Sequence, residues 1–460
     1  MPHDLGPFLT PRRIAVVGAG ERPTSSGGAV LHLLKRSGFD GAIVPVNPKG
    51  GTILGFEAAT SLSALDEPAD LAVVVVRPDL IPDVVREAAA TGHRHLLILP
   101  GGFSEAGEAG RAREAEVKAI AAEAGITIAG PNCAGIIHLD PVQPFAASFL
   151  RDLPPGGGVA LISQSGAIAE EVIAAANRAG LKLGTVVSVG NALHLGVAEW
   201  LEALGENDGV SCILLYIESV ADAAAFRAIA RRLAAKKPVV ALFGGHTAPG
   251  ARAAAAHTGA SGSDDAAIQR FCDESGMVRA TSLRRLLLAA KGFGAYPNGI
   301  GPRVLVLSNS GGPGVLCTDR AAVEGLDLPP LPQAMAERLR SFLPPEASVA
   351  NPLDLLADAR EDRFGDTLDA ALSLGRDAYD AILMIHVAPF MVDVDPVIAR
   401  LSAGVADSPL PILHSMMGTL PAKDRWFAAM EAAGVPMFDD VEAMAECAGL
   451  LARYGAMRRP

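Results

Sequence analysis

The chain has 460 residues and a formal net charge of −12, a balance that argues against a general nucleic-acid binder. Half of the residues are hydrophobic, much of that alanine, and no apolar run approaches the roughly 18 residues of a spanning helix, so the hydropathy does not signal a membrane. The five cysteines (Cys133, Cys212, Cys272, Cys317, Cys447) are far apart and outside CxxC pairs, which signals neither a disulfide framework nor a zinc site and fits a reducing cytoplasm.

The opening Met1-Pro2-His3-Asp4 lacks the basic and apolar regions of a signal peptide. A strand–turn–helix opening then occurs three times. Ile14–Val17 runs into Gly18-Ala19-Gly20, Val159–Ile162 into Ser163-Gln164-Ser165-Gly166-Ala167, and Val304–Leu307 into Ser308-Asn309-Ser310-Gly311-Gly312-Pro313-Gly314. Continuous apolar runs of this kind fit parallel strands buried on both faces. The expected class is α/β, with three doubly wound domains over 1–150, 151–298 and 299–460. Their borders fall in proline- and glycine-rich stretches.

In the first domain the strands at Ile43–Val46, Leu71–Val76, His95–Leu99 and Ile126–Ala129 each end in small or polar residues. Ligands of open α/β sheets bind beyond such carboxyl ends. A nicotinamide fingerprint is poor, because the third glycine position holds Pro23 and the second strand ends at Asn47 and Pro48 without an acid for the ribose. Lys49 suits a phosphate, or is an ordinary surface lysine.

In the second domain Ser163–Ala167 opens a helix whose free N–H groups form an anion site, or are simply capped by serine. Glu218 ends the strand Cys212–Ile217, as a carboxylate facing the same edge or as a solvated loop residue. After Lys237–Phe243 and Gly244-Gly245 comes Ala255-Ala256-His257-Thr258-Gly259-Ala260, read as a mobile or close-fitting loop presenting one imidazole. Neutral imidazole is a nucleophile near neutral pH. Glu218 would fix its tautomer. In the third domain Ser310-Gly311-Gly312-Pro313-Gly314 is another glycine-rich helix opening, a phosphate site or a tight turn chosen for packing. Asp354 lies in a turn, and His386 and His414 read as ordinary strand-end residues.

Taken in order, Gly130-Pro131-Asn132-Cys133, Ser163–Ala167, Ser188-Val189-Gly190-Asn191, Tyr216-Ile217-Glu218, His257-Thr258-Gly259-Ala260 and Ser310–Gly314 resemble the motifs of the NDP-forming (ADP-forming) acyl-CoA synthetases, relatives of succinyl-CoA synthetase. The resemblance implies a Rossmann-like CoA-binding domain followed by two flavodoxin-like CoA-ligase domains. CoA would lie over Gly18, Ala19, Gly20, Lys49, Arg77, Pro78, Gly101, Gly102, Phe103 and Asn132. Phosphate would sit at Ser163, Gln164, Ser165 and Gly166, and at Ser310, Gly311, Gly312 and Gly314. His257 would carry the phosphoryl group and Glu218 would support it, with no metal ligated by this chain. The ATP-grasp module that holds ATP and Mg²⁺ finds no room here, which implies an α subunit with a separate β partner, in a hetero-oligomer or a homodimer.

One departure bears on activity. The family usually carries an aspartate shortly after the segment at Gly190-Asn191, where this chain reads Ala192-Leu193-His194-Leu195-Gly196-Val197. A CoA-binding or regulatory subunit without synthetase activity is the alternative. A dinucleotide oxidoreductase is the third reading, and it lacks its acidic ribose contact.

Overall fold

The computed structural model describes residues 4–258, 264–388, 392–418 and 421–458, with the backbone alone for 255–258. Two compact units divide the chain, Met1–Ala290 and Lys291–Pro460. The first holds a five-stranded sheet, a seven-stranded sheet and the short two-stranded ribbon Thr52–Ile53/Phe56–Glu57, and the second holds a six-stranded sheet.

The first sheet has five parallel strands, in spatial order Ala42–Val46, Arg13–Val17, Leu71–Val74, His95–Ile98 and Thr127–Ala129. Chain order therefore reverses between Arg13–Val17 and Leu71–Val74, which is the switch point where doubly wound sheets bind ligands. Leu71–Val74 is buried throughout, as continuous apolar runs predict for a strand covered by helices on both faces. Helix Ser26–Arg36 starts where the Ser25 hydroxyl accepts the Gly28 N–H at 3.2 Å. Helix Glu108–Ala124 stops at Gly125, whose φ of +64° is the left-handed cap that glycine adopts without strain.

The second sheet has seven strands, in the order Val278–Ala280, Val239–Phe243, Cys212–Ile217, Val159–Ser163, Leu183–Ser188, Gly135–His138 and Phe145–Ser148. The first five are parallel, and the last two form an antiparallel hairpin on the edge of Leu183–Ser188. Residues 135–148 thus pair with the second sheet, although they precede the border expected at residue 150. Its switch point lies between Val159–Ser163 and Cys212–Ile217. One hydrophobic core runs from Phe8 and Ile14 beneath the first sheet to Trp200 and Ile213 beneath the second, and the Phe8 and Trp200 rings meet edge to face at 6.0 Å.

The second unit's sheet runs Ser348–Val349, Leu353–Asp354, Val304–Ser308, Ala381–Val387, Ile412–Met417 and Met437–Phe438. Only the Ser348–Val349 pairing is antiparallel. Helix Gly311–Val323 packs with helix Val441–Met457, where Arg320 and Arg453 reach the buried Glu324. The expected α/β class, with one domain-sized sheet after each of the three strand–turn–helix openings, is what the chain forms.

Candidate active site

The first switch point is built on glycine. Gly18 has φ +94°, and a Cβ there would stand 3.0 Å from Val76 Cγ1 and 3.1 Å from the Val75 carbonyl carbon. Its N–H and that of Ala19 both donate to the Val46 carbonyl, and the Asn47 amide donates to the Ala19 carbonyl at 2.8 Å. So Asn47, where a ribose acid would stand in a nicotinamide enzyme, braces the turn instead. Lys49 is exposed, and its N–H rests on Asn47 Oδ1. Gly20 has room for a side chain. The glycine that lets the helix close on this turn is Gly27, whose Cβ would stand 2.3 Å from the Gly18 carbonyl oxygen. The fingerprint spacing pointed to Pro23, and the paired Gly27-Gly28 after Ser25-Ser26 was the signal available.

A cleft of about 610 Å³ opens beyond these strand ends, lined by Arg77, Pro78, Gly101, Asn132, Phe149, Gly166 and others. Of the expected CoA residues, Arg77, Pro78, Gly101 and Asn132 face it. Gly18, Ala19, Gly20, Lys49, Gly102 and Phe103 are not on its wall. Phe103 is fully buried in the core behind the sheet, so only its backbone is available to a ligand. Arg77 is exposed and paired with Asp79 at 3.2 Å. Gly101 and Gly102 hold the loop close, since a Cβ would meet Asn132 Oδ1 at 2.9 Å from one and Pro78 at 2.8 Å from the other.

The loop Gly130–Cys133 joins the two sheets of this unit. Asn132 takes φ +57°, and the Gly130–Pro131 bond is cis. Asn191 ties the loop down: its N–H donates to the Pro131 carbonyl at 2.8 Å, its Oδ1 accepts from Asn132 at 3.1 Å, and its amide donates to Glu105 at 2.5 Å. Glu105 also accepts the Gly102 and Phe103 N–H groups. Burial pushes the Glu105 carboxyl up, and these hydrogen bonds outweigh it, holding the group below its ordinary value. Glu105 and Asn191 are site-forming residues that sequence reasoning left out of the site, although Asn191 ends the motif Ser188-Val189-Gly190-Asn191. The divergent segment is bonded into place too, with His194 Nδ1 accepting the Ile128 N–H at 3.2 Å.

At the second switch point, Ser163 Oγ donates to the Ser165 carbonyl and accepts the Ser165 N–H, and the Ser165 hydroxyl caps helix Gly166–Ala179. Gly166 and Ala167 head the helix, where N–H groups have no intrahelical acceptor. Gln164 was expected among the phosphate ligands. Instead its backbone N–H donates to the Tyr216 carbonyl, and its side chain is engaged with Glu218 and Ser219. A free amide side chain at a strand end finds the nearest unpaired peptide groups first.

Glu218 is half-buried, and its N–H donates to the side chain of Gln164, the residue before this helix's serine cap. Burial, together with the neighbouring Glu218 carboxylate, pushes the Tyr216 phenol up to about 12. A Cβ on Gly244 would stand 2.9 Å from the Tyr216 hydroxyl oxygen.

His257 stands in the last turn of helix Ala248–Thr258. The stretch read as a loop is helical as far as Thr258, because alanine, which fills Ala253–Ala256, has the highest helix propensity. The His257 side chain lies outside the described residues, as do Gly259 and Ala260. In the second unit, Ser310 precedes helix Gly311–Val323, as expected, and Gly312 meets nothing within 4 Å where a Cβ would stand. Asp354 Oδ2 would be 3.1 Å from a Cβ on Gly311, so an anion at Ser310, Gly311, Gly312 and Gly314 would meet a negative charge there.

Comparison with known proteins adds three matching families. A CoA binding domain matches residues 12–139, a succinyl-CoA ligase like flavodoxin domain matches 156–293, and a ligase-CoA domain matches 304–409. The α subunit of acetate–CoA ligase (ADP-forming) II from Pyrococcus furiosus is 35% identical over 389 residues, 85% of this chain and 84% of that protein. A trans-feruloyl-CoA synthase from an unknown prokaryotic organism is 36% identical over 76% of this chain, and the match spans only 50% of that protein. The solved structure of the dinucleotide-forming acetyl-coenzyme A synthetase 1 of Ca. Korarchaeum cryptofilum, in complex with phosphate and ADP, superposes with a TM-score of 0.92 at 28% identity, covering 99% of this chain and 97% of that one.

Proposed function

The chain belongs to the ADP-forming acyl-CoA synthetase family, and on that premise we propose that it is the α subunit of an acid–CoA ligase working with a separate ATP-grasp β subunit. The overall reaction joins a carboxylic acid and CoA at the expense of ATP, reversibly, and gives acyl-CoA, ADP and phosphate. The γ-phosphoryl group of ATP, held with Mg²⁺ on the partner, passes to the His257 imidazole and ADP leaves. The phosphoryl group then moves to the acid's carboxylate, freeing the histidine and making an acyl phosphate. The CoA thiol attacks the acyl carbon, loses its proton, and phosphate departs.

The observation that carries this reading is the cleft itself, which leads from Arg77 and Gly101 on the first sheet to Gly166 at the helix start of the second. A CoA arm laid along it would end at that helix start, with the Glu218 carboxylate one hydrogen-bonded residue away. Two backbone N–H groups at a helix start stabilise a phosphoryl group in flight, because transfer needs positioning and charge neutralisation more than covalent help. Glu218 would hold the imidazole of His257 in one tautomer. Relatives named for acetate and for a feruloyl acid leave the acid open. The reading places the enzyme in the cytoplasm. Among the described residues no helix is long and apolar enough to cross a membrane. The alternative, a CoA-binding subunit without turnover, is favoured by the segment Ala192–Gly196 alone.

Incubation with acetyl phosphate, or with ATP and an ATP-grasp β subunit, is expected to add an acid-labile, base-stable adduct of about 80 Da, the mass of one phosphoryl group. The label should vanish in His257→Ala. CoA binding without a label from either donor would leave only the alternative.

A further inference from the structure

We propose that Gln164 is a positioning residue, which sets the Glu218 carboxylate for the phosphohistidine step; this rests on the role given to Glu218 above. The amide oxygen of Gln164 accepts the N–H of Glu218 at 2.6 Å and that of Ser219 at 3.0 Å. Its amide nitrogen donates to the Ser219 carbonyl at 3.0 Å, and its own backbone N–H donates to the Tyr216 carbonyl at 3.1 Å. Four hydrogen bonds from one residue therefore fix the chain on both sides of Ile217. Glu218 lies past the end of its strand, where ladder hydrogen bonds no longer hold the backbone, and the amide takes over from the ladder at the residue that bears the carboxylate.

The second unit repeats the device with different content. Ser308 Oγ donates to the Ser310 carbonyl and accepts its N–H, as Ser163 does with Ser165. Asn309 takes the place of Gln164, and its amide closes two 2.8 Å bonds on the N–H and carbonyl of Val387. There the clamped residue has no charge to aim. At Gln164 the amide is one methylene longer and collects two consecutive N–H groups, the first of them from the carboxylate-bearing residue. Gly244 adds to this by leaving no side chain beside Glu218, since a Cβ there would stand 3.6 Å from Glu218 Cγ. The side chain of Gln164 is thereby committed to protein groups rather than to a bound phosphate.

The test is a double-mutant cycle on the full chain with acetyl phosphate as donor, reading the rate of His257 labelling. Gln164→Met keeps the length of the side chain and removes its three hydrogen bonds. It is expected to slow labelling about tenfold, with CoA affinity changed less than about twofold. Glu218→Gln is expected to slow labelling at least as much. The decisive quantity is the double variant, which should be no slower than Glu218→Gln alone, because Gln164 acts only through that carboxylate. Multiplying effects would overturn the proposal, as would labelling at the unmodified rate in Gln164→Met, or a parallel fall in CoA affinity. If Glu218→Gln labels normally, it is the reading of Glu218 that fails, and this inference fails with it. Should Gln164→Met not fold, Gln164→Asn, which withdraws the amide by one methylene, enters the same cycle.

Discussion

A side chain at Gly27 would run into backbone, 2.3 Å from the Gly18 carbonyl oxygen, with no flexible group to yield. Gly27→Ala is therefore expected to cost about 1–3 kcal/mol, the usual range for overpacking, and to weaken CoA binding by shifting the turn. A urea midpoint and a CoA titration on the same preparation check both halves; an unchanged midpoint would mean that the helix gives way freely. This residue illustrates what single positions disclose in sequence. Gly18 and Gly20 were readable because they directly follow an apolar run. Gly27 was not, because the turn between it and Gly20 is longer than the dinucleotide spacing allows. Glu218 was readable as an acid at a strand end, whereas Gln164, next to the serine cap Ser165, looked like part of the anion site until its partners across the sheet were known.

Strands Ala381–Val387 and Ile412–Met417 bury two histidines against helix Lys423–Ala432, where Trp426 lies 4.5 Å from the His386 ring and 5.9 Å from the His414 ring. Burial pushes His386 down to about 3, and His414 is lowered well below its ordinary value by burial and by its neighbour. The sign follows from proton uptake. Below about pH 6.5 the unfolded imidazoles bind protons that the folded ones refuse, so stability is complete above that pH and is lost as pH falls toward the folded values. Urea midpoints of the whole chain measured between pH 7 and pH 5 should fall, and His386→Phe should flatten that slope. An equal slope in the variant would remove His386 as the cause. Elements as such were largely legible: each continuous apolar run became a strand, and the three small-residue openings became helix starts. The stretch before His257 is the exception: the sequence reading expects a loop, and the alanines that surround it favour helix.

On the scale of the whole chain, the three openings announced three sheets, and the borders were harder to place. Residues 135–148 belong by pairing to the second sheet, and nothing local in Gly135–His138 says which sheet it will join, since strand partners are set by distant residues. The consequence for fragments is direct. A piece covering 1–150 would lack Leu183–Ser188 and Trp200, exposing the edge of Gly135–His138 and the core around Phe8. Size-exclusion chromatography is expected to show it aggregating, whereas 1–290 elutes as a compact species; a monomeric, cooperatively unfolding 1–150 would contradict this.

The same hairpin imposes an order on biosynthesis. The hairpin Gly135–Ser148 leaves the ribosome before Leu183–Ser188 has been made, so a finished first sheet carries it with the edge of Gly135–His138 unpaired while synthesis continues. The second sheet closes only when Val159–Ser163 and Leu183–Ser188 arrive, and that closure seats Asn191 against Asn132 and Glu105. The cleft is therefore not complete when the first sheet is: a nascent chain stopped short of Asn191 has the glycine turns of the first sheet and not yet the residue that braces Asn132 and Glu105.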